Sequence, residues 1–133
     1  MKPFHLEIVT PDGAAFDGMA ESLLVRTTEG DVEILASHAD YLATVATGRT
    51  RIVIDGEEKF ASSQGGFLSV TKGDVKLVAT TFEFAEKIDL ERAKAARDRA
   101  EEALSRAKNA RDIELAKARL SRALNRINVA GMK

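Results

Sequence analysis

The chain of 133 residues has no cysteine and no tryptophan, a single tyrosine and two prolines. Without cysteine, disulfides, thiol nucleophiles and cysteine-type zinc sites are excluded, and a reducing compartment suits the composition. Aromatic residues make up 5% of the chain, so the stacking platforms of a single-strand nucleic-acid binder are missing and no nucleic-acid partner is expected. No run approaches the roughly 18 apolar residues of a spanning helix. Met1-Lys2-Pro3 leads to Glu7 with no apolar stretch of the signal-peptide kind. A soluble chain that meets a membrane only through a partner is the expectation. The two histidines, His5 and His38, have no clustered carboxylates beside them, so no metal and no required cofactor are expected. There is no G-x-x-x-x-G-K-S/T phosphate loop; Thr71-Lys72-Gly73 has the wrong order. Ser62-Ser63 has no histidine recognisably placed beside it. No catalytic residue assembles, and the chain does not read as an autonomous enzyme.

What is present is a sharp division of charge. Residues 1–86 carry 7 Lys and Arg against 14 Asp and Glu, a net of −7; residues 87–133 carry 13 against 7, a net of +6. The formal total of −1 thus hides two oppositely charged modules, which can attract each other or seek outside partners of opposite sign.

The acidic front reads as strands. Phe4, Leu6 and Ile8 alternate with His5, Glu7 and Val9 and stop at Thr10-Pro11-Asp12-Gly13, a turn signal. Ser22–Thr27 is rich in β-formers and ends at Glu29-Gly30-Asp31. Arg51–Ile54 and Glu57–Ala61 flank Asp55-Gly56, whose tolerance of positive φ suits a two-residue hairpin. Phe67–Thr71 and Val75–Thr81 flank Lys72-Gly73-Asp74 in the same way. Strands at this spacing predict an antiparallel sandwich or barrel. Gly65-Gly66 marks either a bend that needs bare backbone or a surface left open to a partner.

The basic back reads as helix. Leu90–Lys108 is continuous in helix formers after Asp89, which suits an N-cap. Asn109 interrupts, and a second run extends from about Asp112 to Val129, with Gly131 as its stop. Ala93, Ala96, Ala100, Ala103 and Ala107 recur at helical spacing in the first run, and Ile113, Ala116, Leu120, Leu124 and Ile127 in the second. An antiparallel pair packed along an alanine seam follows. The fold class is therefore α+β, an N-terminal antiparallel β-sandwich followed by a two-helix hairpin. Alanine buries few methylenes, so at about 25 cal/mol per Å² the hairpin is marginal alone and needs the sandwich, a ligand or another protein's helices. An element with more than one way to satisfy itself can act as a switch.

Arg119, Arg122 and Arg126 fall on one side of the second run, and Asp89, Arg92 and Arg99 on one face of the first. Two readings stand: a solvated charged face, or a polyanion site of convergent guanidiniums.

In their order, Glu29-Gly30, Ile34-Leu35, His38, Gly65-Gly66-Phe67-Leu68-Ser69-Val70 and Ile88-Asp89-x-x-Arg92-Ala93 resemble the epsilon subunit of bacterial F-type ATP synthases. The likeness runs end to end. It implies a non-catalytic subunit of the rotating central stalk, on the cytoplasmic side of the bacterial plasma membrane and attached to it only through the complex. On this likeness the sandwich, residues 1–86, would bind the gamma subunit and the c-ring. The hairpin, residues 87–133, would fold against the sandwich or extend towards the alpha and beta subunits and inhibit ATP hydrolysis.

Ile88-Asp89-x-x-Arg92-Ala93 also resembles the Ile/Leu-Asp-x-x-Arg-Ala signature of members that bind ATP as a regulatory ligand. The resemblance then implies a site of Glu83, Ile88, Asp89, Arg92, Ala93, Arg99, Arg122 and Arg126. Asp89, Arg92 and Ala93 would hold the nucleoside end, the arginines the phosphates, and Glu83 would help fix the ligand from the last strand. The family's Gly-Ile-Leu-Pro-x-His, with a second proline two residues later, is here replaced by Glu33, Ile34, Leu35, Ala36, Ser37, His38 and Asp40. Losing two prolines loosens a loop that in the family faces the ring. The competing reading is an interaction adaptor with a constitutive helical arm and no nucleotide role.

Overall fold

The computed structural model describes residues 2–132. Ten strands come first: β1 (Phe4–Thr10), β2 (Gly13–Ala20), β3 (Ser22–Thr27), β4 (Gly30–Ile34), β5 (Tyr41–Thr44), β6 (Gly48–Ile54), β7 (Glu57–Gln64), β8 (Phe67–Thr71), β9 (Asp74–Val78) and β10 (Thr81–Phe84). A short 3-10 turn, Ala85–Lys87, then leads to helices α1 (Leu90–Arg106) and α2 (Ala110–Ala130).

The strands form two five-stranded sheets, ordered β2-β1-β9-β8-β5 and β10-β7-β6-β3-β4. The expected sandwich is there, with one departure: β1 runs parallel to β9, pairing Leu6 with Val75 and Ile8 with Leu77. A central β1 must use both edges. Its hairpin with β2 takes one, and the chain returns from far along the sequence in the same direction to take the other.

Period-two alternation builds the core. Phe4, Leu6 and Ile8 point inward against Leu23, Val25, Ile52, Leu68, Val70, Val75 and Leu77, and all are buried. Both predicted hairpin turns form with paired positive φ, Asp55 with Gly56 and Lys72 with Gly73, the conformation that matches the right-handed twist of the strands. The predicted strand Val75–Thr81 is two strands in different sheets, broken at Ala79 and Thr80. Gly65-Gly66 takes the bend reading, because a Cβ on Gly66 would collide with the Val78 carbonyl and both residues have positive φ.

The proline-poor loop is stitched from outside: Lys72 N donates to Asp40 Oδ1 at 2.9 Å, and His38 meets Tyr41 edge-on. Ser37 adopts φ 65° there.

The helical hairpin lies folded against the second sheet. Asp89 caps α1 by accepting from the Arg92 N–H, as expected. Asn109 is no mere interruption. It caps α2 by accepting from Asp112 N, so that helix starts at Ala110 rather than Asp112. The alanine seam expected from the sequence forms, with only part of each stripe buried. The residues buried along it are Ala93 and Ala100 on α1, and Ala116 and Ala123 on α2, each pair spaced by seven, whereas Leu124 is 47% exposed. Alanines at heptad spacing let two helices approach closely. Leu104 and Leu120 are half-buried, and Leu115 and Leu124 are exposed.

Candidate functional site

Alternation along β7 and β10 decides which side chains meet the hairpin. Phe82 and Phe84 pack towards the core between the sheets. Glu83, paired with Ser62 across the ladder, faces the other way, under α2. Phe60 on β7 joins Ala85, Ile88, Val129 and Ala130 in a small apolar cluster that fastens the end of α2.

Two polar contacts extend this dock. Asn125 Nδ2 donates to the Gly48 carbonyl at 3.0 Å and to Ser62 Oγ at 2.9 Å. Arg126 Nη2 donates to Glu83 Oε2 at 3.1 Å, and its Nε lies 2.8 Å from Oε1. The Nε approach is too poorly aligned for a hydrogen bond, so this buried N–H has no hydrogen-bond partner among the described residues. The pair is partly solvated, with side chains 26% and 35% exposed.

Two adjoining grooves open around Arg122 and Arg126. One, of about 390 Å³, lies between the sandwich and the hairpin and is lined by Thr10, Asp12, Gln64, Thr80, Thr81, Phe82, Glu83, Arg92, Arg122 and Arg126. The other, of about 360 Å³, runs between the helices and is lined by Ala96, Arg99, Ala100, Ala103, Arg119, Arg122, Ala123 and Arg126. The side chains of Arg92, Arg99, Arg119 and Arg122 have no hydrogen bond or ion pair with any described residue. Arg97 and Arg106, elsewhere on α1, are paired with acidic neighbours on their own helix. Unneutralised guanidiniums converging on a cleft favour an anion with several oxygens.

Of the expected site residues, the structure brings Glu83, Arg92, Arg122 and Arg126 into one groove and Arg99, Arg122 and Arg126 into the other. Ile88, Asp89 and Ala93 line neither. Ile88 belongs to the docking cluster, Ala93 to the helix seam, and the Asp89 carboxylate to the cap of α1. Among the described residues no group of three His, Asp or Glu is placed to hold a metal ion. Among the described residues no helix is long and apolar enough to cross a membrane.

Residues 3–85 match the family model described as ATP synthase, Delta/Epsilon chain, beta-sandwich domain. Residues 86–131 match that of the ATP synthase, Delta/Epsilon chain, long alpha-helix domain. The chain belongs to the ATP synthase delta/epsilon family. It is 42% identical over 131 residues to the ATP synthase epsilon chain of Bacillus velezensis and, over the same length, to that of Bacillus subtilis, covering 98% of this chain and 99% of each relative. The epsilon chain of Caldanaerobacter subterraneus is 38% identical over 130 residues, 97% of this chain and 94% of that one. A chain in the cryo-EM structure of Euglena gracilis mitochondrial ATP synthase, OSCP/F1/c-ring, superposes with a TM-score of 0.82 at 20% identity, over 98% of this chain and 82% of that one. At such identity the likeness concerns the fold alone.

The epsilon resemblance read from the sequence therefore holds, as does the reading of a synthase subunit rather than a catalytic chain. For this epsilon-type chain, sequence reasoning missed the parts of the site that depend on posture. Thr10, Gln64 and Thr81 come from three strands and carry no motif. Asn125 carried a signal that went unused: an amide four residues before Val129, on the helix face that turns towards the sheet.

Proposed function

We propose that this chain is the regulatory and coupling subunit of a rotary ATP synthase central stalk and that its hairpin is held down by ATP. The sandwich, residues 1–86, binds the gamma subunit and rests on the c-ring on the cytoplasmic side of the bacterial membrane. The hairpin, residues 87–133, folds down when ATP is plentiful; released, it extends towards the alpha and beta subunits and blocks hydrolysis. The observation that carries this reading is the convergence of unpaired Arg92 and Arg122 with the Glu83–Arg126 pair, from two helices and the last strand, in one cleft. That cleft exists only while the hairpin is down.

ATP enters with its nucleoside beside Arg92 and Glu83 and its phosphates towards Arg122, Arg126 and Arg99. Ile88, Asp89 and Ala93 act from beneath, fixing the start of α1 and so the position of Arg92. Arg126 is already engaged by Glu83, so the carboxylate holds the guanidinium ready and yields it in part to phosphate. A ligand specific for the compact form stabilises it by RT ln(1 + [L]/Kd), about 1.4 kcal/mol for each tenfold excess over Kd. One or two such decades decide the posture of a marginal hairpin.

Calorimetric titration of the purified chain with ATP tests this. Arg92→Ala, and Arg122→Ala with Arg126→Ala, should abolish binding while the sandwich melts unchanged. Unaltered affinity in these variants eliminates the site. A second reading is favoured by one observation: Asn125 and Glu83 latch the hairpin to the sheet through protein contacts alone. A constitutive arm that ignores ATP but copurifies with gamma would bear that out.

A further inference from the structure

The groove between the helices holds more positive charge than the nucleotide reading uses. Its floor is methyl groups, from Ala96, Ala100, Ala103 and Ala123, and its rim is Arg99, Arg119, Arg122 and Arg126 with no carboxylate among the lining residues. Arg119 has no hydrogen-bond or ion-pair partner among the described residues. Asp112, which lines the next groove towards the helix turn together with Arg119, is engaged by Asn109 Nδ2 at 3.0 Å. From Arg126 to Arg119 is seven residues of α2, about 10 Å at 1.5 Å rise per residue. A compact anion would meet only one or two of these cations. A linear one would meet the whole row, with each phosphate taking charge-assisted hydrogen bonds in turn.

We propose that this groove takes the outer end of a condensed-phosphate chain, and that Arg119 is its terminal binding residue. Affinity then grows with the number of phosphates, because only a chain of three or more spans from Arg126 to Arg119. The proposal builds on the nucleotide reading for what lies at the inner end, but the phosphate contacts rest on the groove itself. Arg119 is exposed, so its replacement leaves the alanine seam and the dock intact.

The test is calorimetry on the full chain, without magnesium, using inorganic pyrophosphate and tripolyphosphate alongside ADP and ATP. Tripolyphosphate should bind more tightly than pyrophosphate and displace ATP. Arg119→Gln should weaken tripolyphosphate and ATP roughly fivefold to tenfold, the effect of one charge-assisted hydrogen bond at a solvated site, and leave ADP and pyrophosphate within about twofold. Arg111→Gln, an exposed change on the same helix outside the groove, controls for lost charge and should do nothing. The proposal is overturned if Arg119→Gln spares tripolyphosphate, weakens two- and three-phosphate ligands alike, or is matched by Arg111→Gln. Tripolyphosphate binding that depends on Arg119 while ATP fails to bind removes the nucleotide reading and keeps the groove. ATP binding indifferent to Arg119 does the reverse.

Discussion

Replacing Asn125 with alanine should open the hairpin without unfolding the sandwich. In the docked form the Asn125 amide donates to Gly48 O and Ser62 Oγ, joining α2 to β6 and β7. Each such bond contributes about 0.5–1.5 kcal/mol net, so the pair is worth about 1–3 kcal/mol. That changes the closed-to-open ratio by a factor of roughly 5 to 150. When the hairpin leaves, water reaches both acceptors, so the cost falls on docking and not on the sheets. The remaining hold is the cluster of Phe60, Ala85, Ile88, Val129 and Ala130 and the partly solvated Glu83–Arg126 pair. The helices themselves bury mainly alanine against each other. Hydrogen exchange read by mass spectrometry should show amides in residues 90–129 losing protection by that factor, with β3 and β6 unchanged. Leu124→Ala, at an exposed position, should alter protection by no more than about 0.5 kcal/mol. Helix protection equal to that of the sandwich, or unmoved by Asn125→Ala, would refute the argument that the arm depends on the sheet for its stability.

Other outcomes follow from single contacts. Glu83→Gln should loosen the hairpin by less than about 1 kcal/mol, since the Arg126 pair is partly exposed; helix protection in the parent should weaken with added salt, and the variant should lose that dependence. Gly66→Ala should destabilise the sandwich by at least about 2 kcal/mol in thermal melts, because φ there is 87° and the methyl meets the Val78 carbonyl. A melt unchanged from the parent would contradict that geometry. The hydrogen bond to Asp17, with its charge, raises the His5 pKa above the ordinary histidine value. The stability this adds is fully present below the ordinary value and is lost as pH climbs through the raised one. Proton NMR titration should show Asp17→Asn returning His5 towards its ordinary range.

Local chemistry made much of this protein legible from its residues. The alternation Phe4-Leu6-Ile8 fixes which face of β1 is buried, whatever it pairs with. Asp55, Gly56 and Gly73 reach positive φ at little cost, and the two hairpins are written around them. Asp89 caps α1 because a carboxylate can accept a free N–H within its own turn. The charge division and the motif order around Ile88-Asp89-x-x-Arg92-Ala93 carry the family. Less local features were misread. Asn109 looked like a break because a cap and an interruption share the same residue types. Leu124 looked like core because periodicity reports a stripe, not which stripe faces the partner.

Tertiary structure alone decided the rest: the parallel union of β1 with β9, the split between β9 and β10, which residues of each helical stripe are buried, and the meeting of Glu83 with Arg126. Each depends on which separate segments of the chain come together, where the competing arrangements have the same local energies. Turns, caps and faces answer to dihedral preference and period within a few bonds, and so the sequence determines them by itself. Which strands adjoin and where the arm lies answer to burial and charge summed over the whole molecule, which exist only once it has folded.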